Sequence, residues 1–303
     1  MRAAVLGLLL IGLIPPALPV STTADDAIQI TTGGANAPAW SPDGSQIAFW
    51  SRRSGNWDIW VIPATGGTAT QITTDPADDS DPAWSPNGTQ IAFYSFRSGN
   101  WDIWVIPATG GTATQVTTDP GADARPAWSP DGSLIAFDSD RSGSWDIWVI
   151  PATGGTAVQF TNDPASDFSP AWSPDGTRIA FWSRSNGIED IWVIPATGGT
   201  GTQITPSTAV DGDPSWSPES SRIAFWSRPG GDEDIWVIST SGGTATQITD
   251  DPASDLLPAW SPDGSLIAFD STRSGINNIW VIPVATVAVQ SESWSSIKVM
   301  YKE

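Results

Sequence analysis

Apolar residues occur along this chain in short runs that end at turn residues. From residue 38 to residue 73 the order is PAW, the turn SPDG, QIAFWS, the polar loop RRSGN, WDIWVIPA, the turn TGGT and ATQIT. The apolar runs are rich in β-branched and aromatic residues, which favours strands. After residue 25 no apolar pattern of period 3.6 is long enough for a helix. The pattern therefore predicts four strands joined by three turns.

The four-strand unit recurs six times, and two tryptophans in each copy mark its period. The first series is Trp40, Trp84, Trp128, Trp172, Trp216 and Trp260, and the second is Trp60, Trp104, Trp148, Trp192, Trp236 and Trp280. Both series advance by 44 residues without slippage. Repeated four-stranded antiparallel units of this length are typical of propeller blades. We therefore predict an all-β, six-bladed β-propeller of four-stranded antiparallel blades with 44-residue repeats.

A blade cannot bury its own two faces, so its contact residues should recur in every neighbour. We interpret the twelve tryptophans, the alanines in register with Ala48 and the phenylalanines in register with Phe49 as blade-interface residues. Burial of each such tryptophan stabilises the fold by about 2 to 3 kcal/mol.

The two chain ends differ from the repeats. Arg2, the apolar stretch Ala3 to Ile14 and the following prolines and small residues are typical of a secretory signal peptide. We predict a signal peptide over residues 1–24, a propeller over 25–283 and a C-terminal tail over 284–303. The apolar stretch is too short to span a bilayer. The mature protein is therefore expected in the periplasm or outside the cell, without membrane insertion.

The sequence AIQITT at Ala27 to Thr32 copies the outer strand ATQITT at Ala69 to Thr74, whereas the sixth repeat lacks its GG turn. We predict that this N-terminal strand completes the sixth blade. Val287 to Gln290 is a competitor for the same place.

Composition excludes several chemistries. The chain has no histidine and no cysteine, which excludes Ser-His-Asp and Cys-His catalysis and histidine-ligated zinc. Hydrolysis of glycans by two carboxylates remains open. The formal net charge of −20 argues against nucleic acid and anionic membrane surfaces. Cationic or neutral partners, Ca²⁺ and sugars remain.

PAWSPDGSQIAF, followed by SRRSGNWDIWVIPATGG and TATQIT, resembles the repeat of the TolB-type β-propellers, over residues 27 to 283. That family occurs in the periplasm and among secreted proteins. The resemblance implies a propeller that recognises another protein without catalysis. The family's TolB proteins carry an additional N-terminal α/β domain, whereas here the first strand follows the signal peptide closely.

Positions required by the fold recur in every copy, so positions that differ are free for another role. Relative to the first tryptophan, the positions that differ most are three before it and ten, twelve and seventeen after it. They hold Ala37, Asp81, Arg125, Ser169, Asp213 and Leu257; Trp50, Tyr94, Asp138, Trp182, Trp226 and Asp270; Arg52, Phe96, Asp140, Arg184, Arg228 and Thr272; and Trp57, Trp101, Trp145, Glu189, Glu233 and Asn277.

In an up-and-down blade these positions lie at or near one end, and the SPDG and ATGG turns lie at the other. Loops on a rigid framework commonly carry binding residues, although loops also vary by drift. The predicted binding face is Trp57, Trp101, Trp145, Trp50, Tyr94, Trp182, Trp226, Asp81, Arg125 and Asp213. The three loop tryptophans are either local hairpin packing or an exposed contact patch.

Charged residues in the loops allow two further predictions. Arg53, Arg97 and Arg141 are expected to pair with Asp58, Asp102 and Asp146 across the hairpin. Asp79, Asp123, Asp167, Asp211 and Asp255 stand five residues before the first tryptophan. They either cap their own turns or converge on the channel mouth as an oxygen-rich ring suited to Ca²⁺ as a cofactor.

The sequence thus predicts a non-catalytic module or scaffold that binds an envelope or extracellular protein. Two alternatives remain: a lectin-like module, and a carboxylate-dependent glycan hydrolase that would use Asp138 and Asp270.

Overall fold

The computed structural model describes residues 26–185, 187–206 and 208–284. These residues form six four-stranded antiparallel sheets and contain no α-helix, so none of them belongs to a helix that could cross a membrane. The prediction of an all-β, six-bladed propeller is confirmed. The predicted signal peptide, the tail from residue 285 and the competing strand at 287–290 lie outside the described residues.

Each blade contributes three strands of about six residues and one outer strand of two residues. The strands, numbered in chain order, are β1 Ile28–Gln29, β2 Asn36–Trp40, β3 Gln46–Ser51, β4 Asp58–Pro63, β5 Thr70–Gln71, β6 Asp79–Trp84, β7 Gln90–Ser95, β8 Asp102–Pro107, β9 Thr114–Gln115, β10 Asp123–Trp128, β11 Leu134–Ser139, β12 Asp146–Pro151, β13 Val158–Gln159, β14 Asp167–Trp172, β15 Arg178–Ser183, β16 Asp190–Pro195, β17 Thr202–Gln203, β18 Val210–Trp216, β19 Arg222–Arg228, β20 Asp234–Ser239, β21 Thr246–Gln247, β22 Asp255–Trp260, β23 Leu266–Ser271 and β24 Asn278–Pro283.

The ring closes through the first strand. Blades one to five are β2–β5, β6–β9, β10–β13, β14–β17 and β18–β21, and the sixth has the order β1-β24-β23-β22. In the sixth blade Ile28 pairs with Val281, and the amide of Ile30 donates to the Ile279 carbonyl at 2.8 Å. The predicted completion of blade six by the N-terminal strand is confirmed.

The core lies between neighbouring blades. Phe93 of the second blade is fully buried against Ala48, Ile59 and Val61 of the first. Indoles of the first tryptophan series also bond across the interface, since Trp40 Nε1 donates to the Ala259 carbonyl at 3.0 Å. The recurring aromatic and alanine positions therefore serve blade stacking.

The SPDG turns form one repeated end of the propeller. In the first blade the Gly44 amide donates to the Ser41 carbonyl at 2.8 Å, as in a four-residue turn. Asp43 Oδ1 accepts from Ser41 Oγ at 2.6 Å and from the Ser45 amide at 3.0 Å. Asn87 accepts the equivalent bonds in the second blade. The turn therefore needs the acceptor oxygen and not the charge.

The first strand of each blade contains a bulge that redirects one side chain. In the second blade the pairing with β7 shifts register between Ser80 and Ala83. The residue three before the tryptophan has a φ between 48° and 52° in all six blades, namely Ala37, Asp81, Arg125, Ser169, Asp213 and Leu257. Non-glycine residues rarely adopt this left-handed conformation. Because all six copies share it, the bulge belongs to the fold, whereas the side chains on it differ.

Candidate functional site

A pocket of about 170 Å³ lies where the first strands of the six blades meet. It is lined by the six bulge residues and by the proline that follows each of them. Four blades contribute Asp81, Arg125, Ser169 and Asp213, and the remaining two contribute Ala37 and Leu257. The central pocket therefore has a polar side and an apolar side.

One cation stands among several acids at the polar side. Arg125 Nη1 donates to Asp138 Oδ2 at 2.8 Å, and its Nε lies 4.0 Å from Asp81 Oδ2. The Ser169 hydroxyl donates to Asp213 Oδ1 at 2.6 Å. The Arg125–Asp81 contact joins the third blade to the second and the Ser169–Asp213 bond joins the fourth to the fifth, whereas Arg125 and Asp138 belong to the same blade.

Indole N–H groups donate hydrogen bonds to three of the bulge residues. Trp50 Nε1 donates to Asp81 Oδ1 at 3.0 Å and Trp226 Nε1 donates to Asp213 Oδ2 at 2.8 Å. Trp182 Nε1 donates to Ser169 Oγ at 3.2 Å. The bulge position and the position ten after the tryptophan, both singled out by their variability, are thus brought together. Their role in binding stays a prediction.

Each of the three loop tryptophans packs against another aromatic ring. The ring centroids of Trp57 and Trp50 are 4.3 Å apart, and those of Trp101 and Tyr94 are 5.1 Å apart. Trp145 instead packs on Phe168 at 5.5 Å, and that ring stacks on Trp182 at 4.4 Å. All three loop tryptophans are half-buried. The hairpin-packing alternative accounts for their buried faces, and their exposed edges remain available.

The positions twelve and seventeen after the first tryptophan contact each other across the hairpin, a pairing that was not predicted from the sequence. The Arg52 guanidinium lies 4.4 Å from the Trp57 ring centroid. At the same two positions in the fourth blade, Arg184 forms a salt bridge with Glu189. The sequence carried a signal in the fourth and fifth blades, where an arginine at the first position accompanies a glutamate at the second.

Asp270 occupies the same strand position as Asp138 in the diametrically opposite blade, but it has no arginine beside it. Leu257 stands where Arg125 stands in the third blade. Asp270 is 2% exposed, its Oδ1 has no hydrogen-bond partner and Asn277 approaches its Oδ2 at 3.5 Å. Burial, followed by the charge of Asp213, raises the pKa of Asp270 well above its usual value. Asp270 therefore takes up a proton more readily than a solvent-exposed aspartate does.

The predicted pairing of the loop arginines with Asp58, Asp102 and Asp146 is wrong. Arg97 Nη2 donates to Asp79 Oδ1 at 2.7 Å, and Arg141 Nη2 donates to Asp123 Oδ1 at the same distance. Arg53 has Ala35 at the equivalent place and donates instead to the carbonyls of Thr32 and Gly34. The predicted acceptors are taken by local donors: Ser54 Oγ donates to Asp58, Ser98 Oγ to Asp102 and Ser142 Oγ to Asp146.

The five acids offered as a Ca²⁺ ring do not line the central pocket. Asp79, Asp123, Asp167, Asp211 and Asp255 are each buried at or near the start of the first strand of a different blade. Three of them bond arginines. Within the described ranges no three carboxylates stand close enough to hold a metal ion.

The capping role predicted for those acids belongs to other residues. Asp75 Oδ1 accepts from the Ala77 amide at 2.9 Å, and Asp119, Asp163 and Asp251 accept from the amide two residues on in their own blades. These are Asx turns.

We expect the free energy of unfolding to increase as the pH falls from about 7.5 to about 5. Burial raises the pKa of Asp138 to about 7 and that of Asp167 and Asp211 to about 6. In the unfolded chain the pKa of these groups is about 4. The folded state therefore binds more protons in this window, and its stability is lost as the pH rises.

Calorimetric melting at both pH values checks this. The double variant Asp167→Asn/Asp211→Asn should show a smaller gain on acidification than the wild type. A wild-type melting temperature that falls towards pH 5 contradicts the expectation.

Comparisons with known proteins agree with this architecture. Residues 159–249 and 212–301 match the TolB beta propeller domain, and residues 56–145 match the N-terminal beta propeller domain of tricorn protease. A search of the curated proteins found no match.

Solved structures share the fold at low sequence identity. A protein from Agrobacterium tumefaciens assigned as TolB is 23% identical with a TM-score of 0.68, and the alignment covers 85% of this chain and 97% of that chain. TolB from Acinetobacter baumannii is 20% identical with a TM-score of 0.68, covering 80% of this chain and 64% of that chain. Oligogalacturonate lyase from Vibrio parahaemolyticus is 12% identical with a TM-score of 0.61, covering 86% and 94%. These likenesses establish the fold.

The protein is thus a six-bladed β-propeller with a charged pocket on its axis. Within residues 159–301 its repeats match the TolB beta propeller domain.

Proposed function

We propose that this protein is a non-catalytic, periplasmic or extracellular module that binds a polypeptide partner at the mouth of the central pocket. One observation carries the proposal. All six blades direct a bulge residue to the axis, and the six side chains are of five different types, while the SPDG turns at the other end are nearly identical. A repeated framework that presents unrepeated side chains is suited to recognition.

The size of the pocket favours a protein partner. Its volume of about 170 Å³ is below the ~300 to 1,000 Å³ typical of pockets that enclose a small molecule. It accommodates one side chain or a loop tip. The half-buried Trp57, Trp101 and Trp145 lie in the loops of the first three blades, beside the start of the next blade's first strand, and aromatic residues are enriched at protein interfaces.

The acidic residues of the pocket and the net charge of the chain indicate which kind of partner surface is favoured. Asp81, Asp138 and Asp213 all lie near Arg125, so the carboxyl groups around the pocket outnumber the one arginine that lines it. The chain as a whole carries −20. A partner surface that is cationic or rich in amides is therefore favoured, and added salt should weaken its association.

The test compares two double variants of equal charge change. Asp81→Asn/Asp213→Asn alters the pocket, and asparagine both tolerates a positive φ and keeps an acceptor for the indole N–H groups. Asp43→Asn/Asp131→Asn alters the opposite end, where Asn87 already replaces aspartate. We expect the pocket variant to bind the partner about tenfold or more weakly and the turn variant to bind like the wild type.

The partner is identified as the protein that wild type captures from an envelope extract and the pocket variant does not. It is then purified, and its affinity is measured at two salt concentrations. Equal loss in both variants, or loss in the turn variant alone, overturns the proposal. Binding on a glycan array that the pocket variant abolishes would replace the protein partner by a sugar.

A further inference from the structure

In four blades an arginine of the second-to-third loop lies over two aromatic rings of its own sheet. Arg97 Cζ is 5.1 Å from the Phe93 ring centroid and 5.0 Å from that of Trp104. Its Nη2 lies 2.7 Å and 2.8 Å from the two carboxylate oxygens of Asp79. The same stacking recurs for Arg141 on Phe137 and Trp148, for Arg273 on Phe269 and Trp280, and for Arg53 on Phe49 and Trp60.

The fifth blade keeps this arrangement except for the arginine. Asp211, Phe225 and Trp236 stand at the equivalent positions, but Pro229 replaces the arginine. A cavity of about 280 Å³ opens there, and Asp211, Phe225 and Trp236 line it. In the second blade the corresponding pocket is lined by Arg97, which covers the acid and the phenylalanine behind it.

Asp211 is a buried acid without a counterion. The residue is 1% exposed, and its Oδ1 has no hydrogen-bond partner. Burial raises its pKa to about 6, and the charge of Asp190 acts in the same direction. A buried carboxylate that lacks its partner reduces stability, and a cation placed beside it relieves this cost.

We infer that the cavity of the fifth blade binds a guanidinium group, placed between Phe225 and Trp236 and hydrogen-bonded to Asp211. Two sources supply this chemistry: an arginine side chain of a polypeptide and a small free alkylguanidine. The planar guanidinium stacks on aromatic faces and bonds a carboxylate with two N–H groups, which an ammonium cannot do. The site is separate from the central pocket and does not depend on the proposed function.

The fourth blade shows why a missing arginine alone is insufficient. Ser185 stands at the arginine position, and its hydroxyl bonds Ser183 Oγ at 2.6 Å and Asp163 Oδ2 at 3.3 Å. The cavity there is lined by Ser185 and Phe181, whereas Asp167 does not reach its surface. We therefore assign the site to the fifth blade alone.

The test uses methylguanidinium, methylammonium, N-acetyl-arginine amide and N-acetyl-lysine amide as probes with the mature chain. Binding is followed by calorimetric titration and by the indole fluorescence. We expect saturable binding of both guanidinium probes, and at least about tenfold weaker binding of the ammonium probes. Tighter binding of the arginine amide than of methylguanidinium indicates a polypeptide source, and equal binding indicates the free small molecule.

Three variants locate the site. Asp211→Asn should abolish guanidinium binding, and Pro229→Arg should abolish it while raising the melting temperature, because the introduced arginine supplies the missing counterion. Ser185→Arg in the fourth blade is the matched control and should leave binding unchanged. Absence of saturable methylguanidinium binding, or wild-type binding by both Asp211→Asn and Pro229→Arg, overturns the inference. Asp211→Asn should still capture the central-pocket partner, so the two proposals fail independently.

Discussion

Deletion of residues 26–33 is expected to lower the melting temperature by about 10 °C or more. The deletion removes the fourth strand of the sixth blade and with it the bonds of Ile30 and Thr31 to the Ile279 backbone. It also removes Ile30, which is 8% exposed and packs against Val281 and Phe49. Lost burial and several lost hydrogen bonds together amount to about 3 to 5 kcal/mol.

Two single substitutions give the matched comparison for this deletion. Ile30→Ala should cost about 2 to 4 kcal/mol, whereas Ile28→Ala, at a side chain 60% exposed, should cost about 0.5 kcal/mol or less. Scanning calorimetry measures all three proteins. An unchanged melt after the deletion would show that another segment closes the ring.

Arg97→Leu is expected to destabilise the protein by about 3 to 5 kcal/mol, because it leaves Asp79 buried without its counterion. Arg53→Leu is the matched control. Arg53 occupies the same position in the first blade and stacks on the equivalent rings, but it bonds carbonyl oxygens and no carboxylate. The control should cost about 1 kcal/mol or less. Urea denaturation of both variants measures the difference.

The pH dependence of Arg97→Leu identifies the cause. Burial already raises the pKa of Asp79 with the arginine in place, and removal of Arg97 should raise it further. The stability deficit should therefore shrink as the pH is lowered and Asp79 becomes protonated. Asp79→Asn in the Arg97→Leu background should recover most of the loss at neutral pH. A deficit equal to that of Arg53→Leu at all pH values would mean that only stacking was lost.

The repeat made the architecture predictable. Contacts between identical blades require identical residues, so the strand order, the interface residues and the closing strand could all be deduced from one period of 44 residues. The closing strand was recognisable because AIQITT reproduces an outer strand of the other blades.

The arginine partners could not be deduced in the same way. In the second blade Ser95 pairs with Asp79 on one side and with Asp102 on the other, so Arg97 has a carboxylate in each neighbouring strand. Asp102 is already satisfied by Ser98 and Gln115, whereas Asp79 accepts two N–H bonds from Arg97. Sequence spacing does not reveal this competition, because it depends on which donors surround each acid.

The candidate site could be predicted only in part from the sequence. Differences among the blades pointed to Asp81, Arg125 and Asp213, which the structure brings together on the axis. The bulge that directs them there was not predicted, because each precedes a proline, and a residue before proline ordinarily adopts an extended conformation. The pairing of Arg52 with Trp57 also required the hairpin register.

Ring closure by β1 has a consequence for biosynthesis. Ile28 pairs with Val281, so one of the first strands to be synthesised finds its partner only when the last blade is complete. At about 5 to 20 residues per second, that interval lasts on the order of 10 to 50 s. Bringing these ends together costs about 5 kcal/mol of chain entropy. During the interval the edge of the nascent sheet is unpaired and can pair with a second chain. Until Ile28 and Val281 meet, this open edge is therefore the part of the propeller most exposed to pairing with another chain.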